Sequence, residues 1–178
     1  MKRNNGFTII EIMIALVASV ILIGGVLSIY LMSLRTWREG SMDAALERTA
    51  GIIMEKIVRG PYGRFGIREA DIGTVDVSES GNAVVFMVDK NDPPTPEISD
   101  DVTSRYYQAG TQAIYDPNTA VVGDETVLNR FGDVNQLGFS LRDQVLTADL
   151  VITADAPRSD TRKLVARMRT DIFFRKRK

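Results

Sequence analysis

The sequence contains no cysteine and no histidine. Without cysteine there is no disulfide framework, thiolate metal site or thiol nucleophile. Without histidine, Ser-His-Asp and Cys-His catalysis and histidine-ligated zinc are excluded too, which weighs against an enzyme. Charge is missing from one long stretch. Residues 12 to 34 hold no Asp, Glu, Lys or Arg, whereas nearly all the charge of this 178-residue chain lies from Arg35 onward. The whole-chain fractions, 25% charged and 44% hydrophobic, resemble those of soluble proteins and hide that division. A net charge of −1 and a pI near 5.6 give no reason to expect a wholesale nucleic-acid binder.

As a helix, Ile12 to Leu34 would measure about 35 Å, against a hydrocarbon core of about 30 Å. Lys2 and Arg3 ahead of it suit a secretory signal, but the apolar part of such a signal is usually about 7–15 residues and ends at a small-residue cleavage site. A plain signal anchor fits the length, and a membrane helix tolerates Ser19, Gly24, Gly25 and Ser28. Neither accounts for Glu11. A carboxylate in bilayer hydrocarbon costs about 2.5–3.5 kcal/mol on insertion scales, so it calls for a cation. That cation is expected from another chain or from a newly made amino terminus.

Lys2-Arg3, then Gly6, then Phe7-Thr8-Ile9-Ile10-Glu11 and a long uncharged helix together resemble the class III signal of type IV pilins and pseudopilins. The resemblance implies that a prepilin peptidase cuts between Gly6 and Phe7 on the cytoplasmic face and methylates the new amino terminus at Phe7. It further implies that Glu11 pairs with the N-terminal amine of a neighbouring subunit during filament assembly. The implied partners are the peptidase, other pilin or pseudopilin subunits, an inner-membrane assembly platform and membrane lipid. No cofactor is expected. The location implied is the inner membrane, single-pass, with the head on the periplasmic or extracytoplasmic side. Orientation rests on the peptidase, because Arg35 and Arg38 stand opposite Lys2 and Arg3 and charge asymmetry decides little. The competing class is a monomeric membrane-anchored binding protein, uncut, whose Glu11 meets an unrelated membrane partner.

Beyond Leu34, Trp37, Met42, Leu46, Ala50, Ile53 and Ile57 recur on roughly one helical face. The helix is therefore expected from about Phe7 to Val58, ended by Gly60-Pro61, with its second half packed on the chain's own head. Strands are expected at Thr74–Ser78, Asn82–Asp89, Ser104–Ala109, Gln112–Tyr115, Glu125–Arg130, Gln136–Leu141, Val145–Ala154 and Lys163–Phe174. Glu79-Ser80-Gly81 and Pro157–Asp160 read as turns, and Asn91–Pro96, with three prolines, as an exposed loop. The resulting class is α+β: a long N-terminal α-helical spine packed on an antiparallel β-sheet head. The organisation expected is a leader over 1–6, a transmembrane and assembly helix over 7–34, its amphipathic continuation over 35–59, and a β-rich head over 60–178.

A narrower resemblance comes from Val134–Leu141, the strand pair after it and an arginine-bearing last strand. These resemble the larger J-type minor pseudopilins and the PilW-like minor pilins. A strand-rich head without a C-terminal cysteine pair favours an accessory subunit over the bulk one. The membrane helix lacks the proline that many major pilins carry.

Other chemistry is thinner. Asp71-Ile72-Gly73 resembles the Asp-Thr/Ser-Gly of aspartic proteases with the wrong middle residue, and a turn explains it equally. Asp89-Lys90-Asn91-Asp92 and Asp100-Asp101 offer oxygen ligands for calcium without EF-hand spacing, and a solvated acidic loop accounts for them. The tail Arg175–Lys178 suits lipid headgroups, an acidic partner or DNA, or simply keeps a strand end solvated. Tyr106 and Tyr107 beside Arg105 face opposite sides of a strand, so at most one lies on a stacking surface.

Overall fold

The computed structural model describes residues 7–61, 63, 65–89, 101–156 and 163–174. Among them the order is one α-helix, two short 3₁₀ turns and eight strands: α1 (Ile9–Arg59), then β1 (Asp76–Val77), β2 (Ala83–Val88), β3 (Val102–Ala109), β4 (Gln112–Asp116), β5 (Thr126–Val127), β6 (Asp133–Arg142), β7 (Val145–Asp155) and β8 (Lys163–Phe173). The architecture is the expected α+β, a long apolar N-terminal helix packed on antiparallel sheet. Contacts divide the chain into two compact units, Met1–Ser41 and Met42–Lys178.

Within the first unit the described chain is the amino-terminal part of α1. Its large apolar side chains, from Ile9 to Met32, are solvent-exposed. The helix is long and apolar enough to cross a membrane. Ser19 and Ser28 fold their hydroxyls back onto the carbonyls of Ala15 and Gly24, at 2.7 and 2.9 Å, so neither leaves a polar atom reaching outward.

In the second unit the remaining turns of α1 bury Leu46, Ala50, Ile53, Met54 and Ile57, the predicted stripe with Met54 added. Trp37, placed on the same stripe by periodicity, is exposed and belongs to the first unit. The helix ends as Gly60-Pro61 suggests. Gly60 adopts a left-handed φ of 85° and donates its amide to the Lys56 carbonyl at 2.8 Å, a C-terminal cap that a side chain would strain.

The strands form two antiparallel sheets, β1-β2-β3-β4-β5 and β6-β7-β8. In β2 and β7 buried residues alternate with half-buried ones, and in β8 Leu164, Ala166 and Ile172 face in while Val165, Arg167, Arg169 and Asp171 face out. Two-residue turns set two registers. Gly110-Thr111 joins β3 to β4 with positive φ at Gly110, and Asp143-Gln144 joins β6 to β7 with positive φ at both residues. Helix and sheets meet in one core. Phe86, Tyr106 and Tyr115 stack in series, with centroids 5.6 and 4.7 Å apart, and the Tyr106 hydroxyl donates to the Lys56 carbonyl of α1 at 2.8 Å.

Several expected strands change extent. Thr74–Ser78 shrinks to Asp76–Val77, because Asp71 caps a 3₁₀ turn over Ile72–Thr74 by accepting from the Gly73 amide at 3.0 Å. Glu125–Arg130 shrinks to Thr126–Val127, since the Asn129 side chain takes over from backbone pairing: its Oδ1 accepts from the Ala113 amide and its Nδ2 donates to the carbonyls of Thr111 and Gly132. Gln136–Leu141 lengthens at both ends and carries a bulge between Val134 and Gln136. The Asn91–Pro96 loop and the Pro157–Asp160 turn lie outside the described residues.

Candidate processing and assembly site

The site predicted at the amino end is built on the first turn of α1. The helix begins at Ile9, two residues after the expected start, because Thr8 acts as its N-cap. The Glu11 amide donates to Thr8 Oγ1 at 3.3 Å, and Glu11 Oε2 accepts from the Thr8 amide at 2.8 Å. The Thr8 hydroxyl adds a third contact to the same oxygen, at 3.0 Å. This is a capping box, in which two backbone donors that a helix start leaves unpaired are satisfied reciprocally. Glu11 also lies in the first turn, where the helix dipole favours negative charge.

The carboxylate is therefore not idle in the single chain. Its contacts all fall on Oε2 and come from neutral donors of one residue, and among the described residues no cation pairs with it. Phe7, directly before the cap, is 84% exposed. A new amino terminus there would stand one residue from the cap and on the same helix start as Glu11. Lys2, Arg3 and Gly6 lie outside the described residues. The spacing Thr8-x-x-Glu11 was available to find the cap, and reading Glu11 for its charge alone misses it.

Of the remaining candidates, Asp71, Arg105, Tyr106 and Tyr107 are engaged in structure. Asp71 is the turn cap described above. Tyr106 is buried in the core, while Tyr107 lies under Arg105, whose guanidinium carbon is 4.4 Å from the ring centre. Arg105 also pairs at 3.0 Å with the buried Asp116. This cation and ring are thus held against each other and against the head's own carboxylate. Asp89 and Asp101 are described, whereas Lys90, Asn91, Asp92, Asp100 and the tail Arg175–Lys178 are outside the described residues. Among the described residues no three acidic side chains cluster as a metal site would require.

Comparison with known families agrees with the amino end. Residues 1–27 match the family described as the prokaryotic N-terminal methylation motif. No curated protein and no solved structure matches the chain. The matched region contains Phe7, Thr8 and Glu11 and the start of the exposed apolar helix, and such a signal implies processing by a prepilin peptidase and assembly with other pilin subunits. The motif points to a structural protein rather than an enzyme, and with the apolar helix it fits membrane anchoring. The chain thus carries the class III signal of type IV pilins at its amino end, and this indicates a type IV pilin-like protein processed as a prepilin.

Proposed function

We propose that the protein is a minor pilin or pseudopilin, a structural subunit of a type IV pilus-like filament or a type II secretion pseudopilus. Residues 1–6 are the leader, cut between Gly6 and Phe7, and Phe7 becomes the N-methylated amino terminus. Residues 7–34 hold the subunit in the inner membrane and later in the filament. Residues 35–59 continue the helix into the head, 60–178, on the periplasmic or extracytoplasmic side. Glu11 pairs with the amine of a neighbouring subunit's Phe7.

The observation that carries this reading is the methylation motif over residues 1–27 followed by an exposed, uncharged helix. Physical chemistry supports the pairing. A carboxylate held only by neutral donors in lipid gains from a cation, although desolvating both ions offsets much of the gain, so the pair sets register more than bulk stability. The capping box pre-orients Glu11 for it. The test is incorporation into the filament. Glu11→Ala or Glu11→Val is expected to be cleaved like the parent chain and to fail to enter the filament, and normal assembly of either variant removes the proposed role.

One observation favours a second reading, the uncut anchored binding protein. Glu11 already has a task in a monomer, as the N3 residue of the helix cap. That reading predicts an intact Met1 in the presence of active peptidase, with no filament association.

A further inference from the structure

A β-sheet's outer edges present unpaired backbone groups, and proteins shorten, cover or use them. Among the described residues, three of the four sheet edges are short or covered. β1 and β5 are two residues each. The outer edge of β6 is tied to the other sheet: the Val134 amide donates to the Thr111 carbonyl at 2.9 Å, the Phe139 amide to the Gly81 carbonyl at 2.6 Å, and the Leu137 amide to Gln108 Oε1 at 2.9 Å. β8 differs. It is 11 residues long, contains no proline and pairs with β7 along one side. Among the described residues no backbone hydrogen bond meets its other side.

A groove runs beside that open edge. One part, about 320 Å³, lies between Met54 and Val58 of α1 and Met168 of β8. The next, about 620 Å³, is bordered by Arg59, Arg68 and Phe173, and Arg59 lines both. The outward face of β8 carries Arg167 and Arg169 at its middle. Local acids are already engaged: Glu55, which also lines the groove, lies 3.6 Å from Arg59, Asp149 lies 3.7 Å from Arg169, Asp171 accepts from the Thr147 hydroxyl, and Glu69 accepts from the Phe65 amide.

We propose that the free edge of β8 takes an added strand from another protein, with apolar and acidic residues in alternation. Strand period two fixes that chemistry. Inward side chains meet the half-buried Val58 and Met168, and outward ones stand beside Arg167 and Arg169. A second copy of this chain is the poorer occupant, because full-length antiparallel pairing of β8 with itself sets Arg167 opposite Arg169 twice, and like charges directly opposite are destabilising. The inference concerns the head and stands whether or not the amino end is cut.

The test uses the full chain in detergent micelles and a labelled, end-blocked peptide of alternating valine and glutamate. Saturable binding is expected, weakened about tenfold or more when the backbone nitrogens of the pairing edge are methylated, since several main-chain hydrogen bonds are lost. Lysine in place of glutamate weakens it as well. Combining Arg167→Glu with Arg169→Glu reverses the preference toward the lysine peptide. Hydrogen exchange of residues 163–173 is expected to slow when the glutamate peptide is added. Absent binding, or equal binding of the methylated peptide, overturns the proposal. So does protection of both β8 edges in the free protein: at every concentration it means this chain covers its own edge, and protection that rises with concentration means a second copy is the occupant.

Discussion

The Thr8 amide and the Glu11 carboxylate lie 2.8 Å apart, and the reverse contact, from the Glu11 amide to the Thr8 hydroxyl oxygen, closes the first turn of α1. Glu11 thus has two separable properties, a hydrogen-bond acceptor at a helix start and a negative charge in an apolar segment.

Glu11→Gln separates them. Glutamine serves as the N3 partner of a capping box, so the helix start is kept while the charge is lost. The variant is expected to be cleaved normally yet to enter the filament as poorly as Glu11→Ala, read by the fraction of subunits in sheared filaments. Thr8→Ala removes the N-cap instead and costs about 1 kcal/mol of helix-start stability. It is expected to reduce incorporation less than either Glu11 variant. Wild-type assembly by Glu11→Gln would show that the acceptor matters and the charge does not.

Tyr106 makes the head alkali-sensitive. Burial pushes its hydroxyl well above the ordinary tyrosine value of 10.0, and the neighbouring Tyr115 adds to the shift. The unfolded chain ionises this phenol near 10, while the folded head keeps it neutral. Its contribution is therefore fully present below about pH 10 and is lost as pH rises from there toward the folded-state value. Thermal unfolding of the detergent-solubilised chain between pH 8 and 11 is expected to show a falling Tm above 10. Tyr106→Phe lowers stability by about 1 kcal/mol at neutral pH, through the lost bond to the Lys56 carbonyl, and flattens that decline. An equal decline in the variant would assign it to other groups.

Gly132 is packed closely between helix and sheet. Its φ is +78°, and a methyl group on its Cα would lie 2.6 Å from Leu46 Cδ1 and 2.7 Å from Ile152 Cγ2. Gly132→Ala combines backbone strain with overpacking and is expected to cost about 2–4 kcal/mol. Gly110→Ala shares the positive φ, 58°, but has nothing within 4 Å, so its loss is expected to be smaller. Equal Tm values for the two variants would mean that the close contacts with Leu46 and Ile152 add nothing to the backbone strain.

Periodicity made much of this legible. The stripe Leu46, Ala50, Ile53, Ile57 and the alternation through β8 are long enough for one period to dominate, and both packed as expected. β1 and β5 were overestimated because side chains replaced backbone partners: Asp71 holds the chain in a 3₁₀ turn before β1, and Asn129 substitutes for strand pairing after β5. Such replacement leaves no period in the sequence. The Asp143-Gln144 turn was equally hidden, since neither residue is the glycine expected where φ is positive. At the amino end, the motif was legible as chemistry, and the cap within it became plain with the Thr8 and Glu11 distances. The open edge of β8 depends on what the other edges do, which no local pattern in β8 records.

The proposed role in a filament begins with cleavage and methylation at Phe7. The most direct measurement is the intact mass and amino-terminal sequence of the protein isolated from membranes of cells that co-express a prepilin peptidase. The expected product is a chain that begins at Phe7 and carries the mass of one added methyl group. A chain still beginning at Met1, beside a control prepilin cut in the same cells, would contradict it.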